Sequence, residues 1–147
     1  MFSHFSLKVN TWFFNALLTT VLVSVVKIFI IDIDGTICEN IRNEEGVSRM
    51  ARAKPYVGSI KRINQLYDEG HYVCFFTART DEHRQVTEEW LKKHFVKYHQ
   101  VIYNKPRKMG KFDEYHFVDD TSVRATTFRG KFSSFIKKNV EIEVFEG

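Results

Sequence analysis

From residue 27 onward, short apolar runs alternate with longer stretches in which apolar positions recur every three or four residues. KIFIID (27–32), HYVCFF (71–76), QVIY (100–103), EYHFVDD (114–120) and VEIEVF (140–145) are rich in β-branched and aromatic residues and have the length of strands. The first is continuously apolar, as strands covered on both faces of a parallel sheet are, whereas the last alternates in the manner of an edge strand. Between the strands, Tyr56, Val57, Ile60, Ile63 and Tyr67 follow Pro55 at helical spacing, with Gly70 suited to the stop. Val86, Trp90, Leu91 and Phe95 form a second apolar stripe within EHRQVTEEWLKKHF, and a third helix is expected in 121–138, weakened by Gly130.

Strands alternating with helices predict βαβ units with right-handed crossovers. The fold class expected is therefore α/β: a Rossmann-like three-layer sandwich around a five-stranded, mainly parallel sheet. At 147 residues the chain carries one such domain, assigned to 27–147, with 1–26 as an extension. Within that extension TWFFNALLTTVLVSVV (11–26) is apolar and follows Lys8. As a helix it would reach only about 24 Å, short of a bilayer core of about 30 Å. An anchor would also leave no linker before KIFIID, and Ser24 is a poor match to a signal-cleavage site. The expectation is an upstream extension of a cytoplasmic domain, arising from a misassigned start, with a membrane anchor through 11–26 as the alternative.

A hydrophobic fraction of 44%, a charged fraction of 27% and 14 Phe exclude a disordered chain. The net charge of +4 is scattered along the sequence rather than gathered in a stripe, which makes nucleic acid an unlikely partner. Cys38 and Cys74 stand far apart with no metal-ligand spacing and are expected to be buried free thiols.

The polar residues fall where a parallel sheet would gather them. KIFIID ends in Asp32 and is followed by Asp34, Gly35 and Thr36; HYVCFF runs into Thr77 and Arg79; QVIY into Asn104 and Lys105; EYHFV into Asp119 and Asp120. Strands of a parallel sheet share one carboxyl-end rim, where ligands bind. Several carboxylates at one point repel each other unless a cation joins them, and oxygen ligands without His or Cys suit Mg2+. Lys105 and the Thr77 hydroxyl add donors for an oxyanion. A carboxylate can then serve as nucleophile, with a second carboxylate two residues on as acid and base.

The ordered set DIDGT (32–36), Thr77 in FFTAR, Lys105 in YNKP and Asp119-Asp120 resembles the motifs of the haloacid dehalogenase (HAD) superfamily, over about residues 27–123. The resemblance implies Asp32 as nucleophile and metal ligand, and Asp34 as acid/base with its main-chain carbonyl on the metal. It further implies Thr77 and Lys105 on the phosphate, Asp119 on Mg2+ with Asp120 either a further ligand or a partner that supports the ligands, and an aspartyl-phosphate intermediate. Lys108 and Lys111 compete with Lys105 for the lysine role. The segment is also similar to the small phosphatases encoded with capsule and lipopolysaccharide biosynthesis, which favours a sugar phosphate. A nucleotidase or a non-enzymatic, receiver-like phosphoacceptor domain is the alternative.

The insert at 38–54, CENIRNEEGVSRMARAK, is the size of a flap and not of a cap domain. An uncapped site is expected, either taking large substrates or closed by a neighbouring subunit of a homo-oligomer across which the flap reaches. Arg79 is the expected substrate contact beyond the phosphate; Arg42, Arg49 and Arg52 read as surface charge, and His83 and His116 as structural or exposed.

Overall fold

A computed structural model describes residues 25–110 and 113–125. The elements run β1 (Ile28–Ile31), α1 (Gly46–Ala51), α2 (Val57–Asp68), β2 (Tyr72–Phe76), α3 (Arg84–Lys93) and β3 (Gln100–Ile102). Two short 3-10 turns precede α1 and α3, at Asn43–Glu45 and Asp81–His83. The described strands form one parallel sheet in the order β1-β2-β3, with Ile28 beside Tyr72, Ile31 beside Phe75, and Phe75 beside Val101. This is the α/β architecture with a parallel sheet that the alternating pattern predicts.

Ile31, Val73 and Phe75 point to one face of the sheet and pack there with Ile63 and Leu66 of α2 and Val86, Trp90 and Leu91 of α3. On the opposite face Ile28 and Ile30 are 70% and 62% exposed, while Cys74 beside Ile30 is buried. The expectation of cover on both faces of KIFIID is thus met on one side of the described structure. The buried stripe of α2 is Ser59, Ile60, Ile63 and Leu66, so Val57 at its first turn is exposed. Phe95 does not extend the α3 stripe, because the helix ends at Lys93 and the chain turns there with Phe95 at φ 53 and exposed. Gly70 takes φ 85 after α2, a left-handed value that glycine adopts without strain.

Two expectations are corrected. EYHFVDD (114–120) is not a strand. Its neighbourhood is satisfied locally: Asp113 accepts from the Met109 and Gly110 N–H groups, and Tyr115 donates to the Pro106 carbonyl at 2.6 Å. These short-range bonds compete with a ladder. Residues 121–125 are not helical either, while the remainder of the expected third helix and the VEIEVF strand lie outside the described residues.

The second correction concerns the flap, which contains a helix the sequence pattern did not announce. Its feet are tied by Glu39 N–H to Lys54 O at 3.0 Å and Tyr56 N–H to Ile37 O at 2.8 Å. Helix α1 packs on α3, and the Trp90 indole N–H donates to the Ala53 carbonyl at 2.9 Å. The segment packs onto α3 of its own chain. Trp90→Phe, which leaves that buried carbonyl without its donor, is expected to destabilise the fold by about 1–3 kcal/mol in urea unfolding.

At the root of the flap the hydrogen bond from Arg49, then that from the Lys54 N–H, holds the Glu39 carboxyl at about 2 rather than 4.5. A carboxylate with a depressed folded-state pKa stabilises the fold above its ordinary value, and that contribution fades as pH falls toward the depressed one. Glu39→Gln is therefore expected to flatten the acid limb of stability between pH 4.5 and 2, read from denaturation curves across that range.

Candidate active site

The carboxyl ends of β1, β2 and β3 converge as the sequence predicts. Asp32 leaves β1 with its Oδ1 accepting from the Ile33 N–H at 2.9 Å and its Oδ2 at 3.1 Å from Lys105 Nζ. Its carboxylate is 39% exposed, whereas the Lys105 side chain is 11% exposed. The Lys105 ammonium also lies 4.9 Å from the Tyr115 ring, so an aromatic face and a carboxylate together hold it at the rim. Lys108 is exposed and Lys111 lies outside the described residues, which leaves Lys105 as the lysine the structure places against Asp32.

After Asp32 the chain turns sharply, with Thr36 N–H and Ile37 N–H donating to the Ile33 carbonyl and Gly35 N–H to the Cys38 carbonyl. Gly35 makes the turn at φ 81, where a side chain would strain the backbone. The turn carries Asp34 inward. There Arg79 grips it from one edge of the guanidinium: Nε donates to Oδ2 at 2.9 Å and Nη2 to Oδ1 at 2.8 Å. The Cys38 thiol, pushed up by burial and by Asp34, stays protonated and donates to Oδ1 at 3.7 Å. Asp34 is 13% exposed and Arg79 wholly buried.

Arg79 was expected to touch the substrate; a guanidinium with no exposed surface cannot. Its charge is spent on Asp34, and no other described residue offers that bidentate fork. Thr77 is also fully buried, its hydroxyl accepting from the Arg79 N–H at 3.1 Å. The two loops of the site are locked by Lys105 N–H to Thr77 O and Asn104 N–H to Arg79 O, each at 2.9 Å. From the flap, the Asn43 amide donates to Ala78 O at 3.0 Å. His83 is buried against Thr80 and His116 exposed. Cys38 and Cys74 are both buried and free.

Asp119 and Asp120 are not drawn to Asp32 and Asp34. Both are exposed, and the carboxyl of Asp119 is held below the usual carboxylate range by two 3.0 Å hydrogen bonds from Thr121. Among the described residues no three carboxylate, thiol or imidazole groups gather as a metal site. In donor type the all-oxygen set suits Mg2+, while in position Asp32 faces Lys105, the Asp34 carboxylate faces Arg79, and the acidic pair does not join them as a metal site among the described residues. Asn43, Cys38 and Thr87 are site neighbours that motif reading missed. Thr87 alone left a signal, as a hydroxyl inside the apolar stripe of α3.

These features agree with the family comparison. The model of the polynucleotide kinase PNKP phosphatase domain matches residues 26–134, well over half of the chain. The chain belongs to this family of HAD-type phosphatases. No curated protein matches at a significant level. A solved structure of a target protein from Vibrio cholerae is 25% identical, covers 67% of this chain and 84% of its own, and superposes with a TM-score of 0.48. A chain of the Pnkp1/Rnl/Hen1 complex is 22% identical over 61% of this chain, with a TM-score of 0.49, and this chain spans only 32% of its length. Among the described residues no helix is long and apolar enough to cross a membrane.

A buried pair is costly to halve, because the surviving charge has no water to turn to. Arg79→Ala is expected to cost about 3–5 kcal/mol of folding stability, measured by urea unfolding.

Proposed function

We propose that the chain is a phosphomonoester hydrolase in which Asp32 attacks phosphorus and Asp34 moves the proton. The observation that carries this is the unequal treatment of two carboxylates two residues apart. Asp32 is open at the rim beside Lys105, and Asp34 is turned inward and gripped by Arg79. A nucleophile needs access, whereas a proton carrier needs a fixed position.

In the first step an Asp32 carboxylate oxygen forms a bond to phosphorus as the ester P–O bond breaks, and Asp34, after taking up a proton from solvent, passes it to the leaving oxygen. In the second, a water oxygen bonds to phosphorus as the bond between Asp32 and phosphorus breaks, the water proton passes to Asp34, and phosphate leaves with the Asp32 carboxylate restored. Lys105 turns from Asp32 toward the incoming phosphoryl oxygens and holds them. Mg2+ held at Asp32 and the Asp34 main-chain carbonyl would neutralise charge on the phosphoryl group, whereas Asp119 and Asp120 do not join that set among the described residues.

For substrate we place a terminal phosphate on a polynucleotide first, because the matched family is named for a polynucleotide kinase. Exposed Arg107 and Lys108, on the loop that carries Lys105, supply positive charge for the adjoining backbone. This reverses the order given by scattered charge alone. A sugar phosphate is the second reading, supported by the resemblance of the motif segment to the capsule-type phosphatases.

The test is turnover by the purified full chain, with Mg2+ or EDTA, on phosphate-terminated oligonucleotides, nucleoside monophosphates and sugar phosphates. Loss of activity by at least about 10³-fold in Asp32→Asn and its abolition by EDTA are expected. Full activity in Asp32→Asn overturns the mechanism. Preference for sugar phosphates would move the substrate and leave the mechanism standing.

A further inference from the structure

The Arg79–Asp34 pair has a third member on a different element. Arg79 Nη1 donates to Thr87 Oγ1 at 3.1 Å, and Thr87 donates its hydroxyl proton to the His83 carbonyl at 2.7 Å. Both Arg79 and Thr87 have no exposed surface. A hydroxyl has one proton, and here it is committed to a carbonyl within α3's first turn; toward Arg79 the oxygen can only accept.

That fixed acceptor selects between two ways of pairing. A guanidinium can meet a carboxylate from its side edge, through Nε and one Nη, or end-on, through both Nη groups. The two differ by a rotation of the carboxylate around the guanidinium plane, a displacement well beyond the roughly 0.5 Å that a reacting group tolerates. Thr87 takes one of the two Nη1 N–H groups and pins the rotation of the guanidinium, so that its side edge, Nε with Nη2, faces Asp34. We propose that Thr87 is a positioning residue for the acid/base: through Arg79 it fixes the carboxyl of Asp34 where a leaving oxygen can be protonated. The inference rests on the assignment of Asp34 given above.

The test is Thr87→Val, which keeps the shape and removes the acceptor, with Thr87→Ser restoring it. Each is assayed on an alkyl phosphate, whose leaving alkoxide needs a proton, and on p-nitrophenyl phosphate, whose phenolate does not. After correction for folded fraction, Thr87→Val is expected to lower kcat on the alkyl ester about 10-fold or more, with KM within about twofold. The loss on p-nitrophenyl phosphate should be much smaller, and Thr87→Ser should recover most of the alkyl activity. Equal losses on both substrates, or wild-type kcat on the alkyl ester, overturn the proposal, as does failure of Thr87→Ser to recover.

Asp34→Asn separates the two levels of argument. If it keeps full activity on the alkyl ester, the acid/base assignment itself falls. If it is inactive there while Thr87→Val is unaffected, the positioning role alone falls.

Discussion

The buried ion pair of Asp34 and Arg79 is the constraint around which the rest of this site is arranged. Two charges removed from water are tolerable only when each finds its partner with good geometry and the remaining donors are also met. The structure meets that demand from four directions. The turn through Gly35 delivers Asp34, the end of β2 delivers Arg79, the flap's first residue Cys38 adds a thiol, and α3 adds Thr87. The loop after β3 closes the set by hydrogen bonding to the carbonyl groups of Thr77 and Arg79. The guanidinium thus ties the ends of β1 and β2 to α3, and main-chain hydrogen bonds add the loop after β3.

That arrangement explains why two aspartates separated by a single residue can behave differently. Asp32 ends a strand and keeps an open face, with a lysine as its only ionic partner among the described residues. Asp34 sits past a tight turn and meets a permanent cation at two points. Each carboxylate has its own positive partner, so neither must relieve the other's charge. Their chemistry is divided by environment rather than by residue type.

Much of this was legible in the sequence, and what was not shares a cause. The strands β1, β2 and β3 and the helices α2 and α3 follow from periodicity, because burial on one face leaves a repeat that no distant contact can erase. DIDGT, Thr77 and Lys105 were legible as a rim because parallel strands all end on one side. Arg79 was visible as important, but a position two residues past a strand does not say whether a side chain turns outward to ligand or inward to a carboxylate. Only its pairing with Asp34, 45 residues away, decides that. The segment 114–120 read as a strand because Tyr115, Phe117 and Val118 have strand composition, yet composition says nothing of whether a neighbour's edge is engaged. Helix α1 was missed for the converse reason: of its six residues only Met50 is buried, so its apolar signal is a single position.

The fixed flap gives this division a functional sense. Sites that close over a substrate can assemble the acid/base at the moment of closure. Here the 38–54 segment is tied at both feet and bonded to α3 through Trp90 and Ala53. On the proposed reading of Asp34 as proton carrier, a buried guanidinium braced from α3 would hold that carboxyl in place before substrate arrives. On the loop after β3, Lys105, Arg107 and Lys108 place positive charge beside Asp32, which supports the proposed reading of a phosphate carried at the end of a polynucleotide.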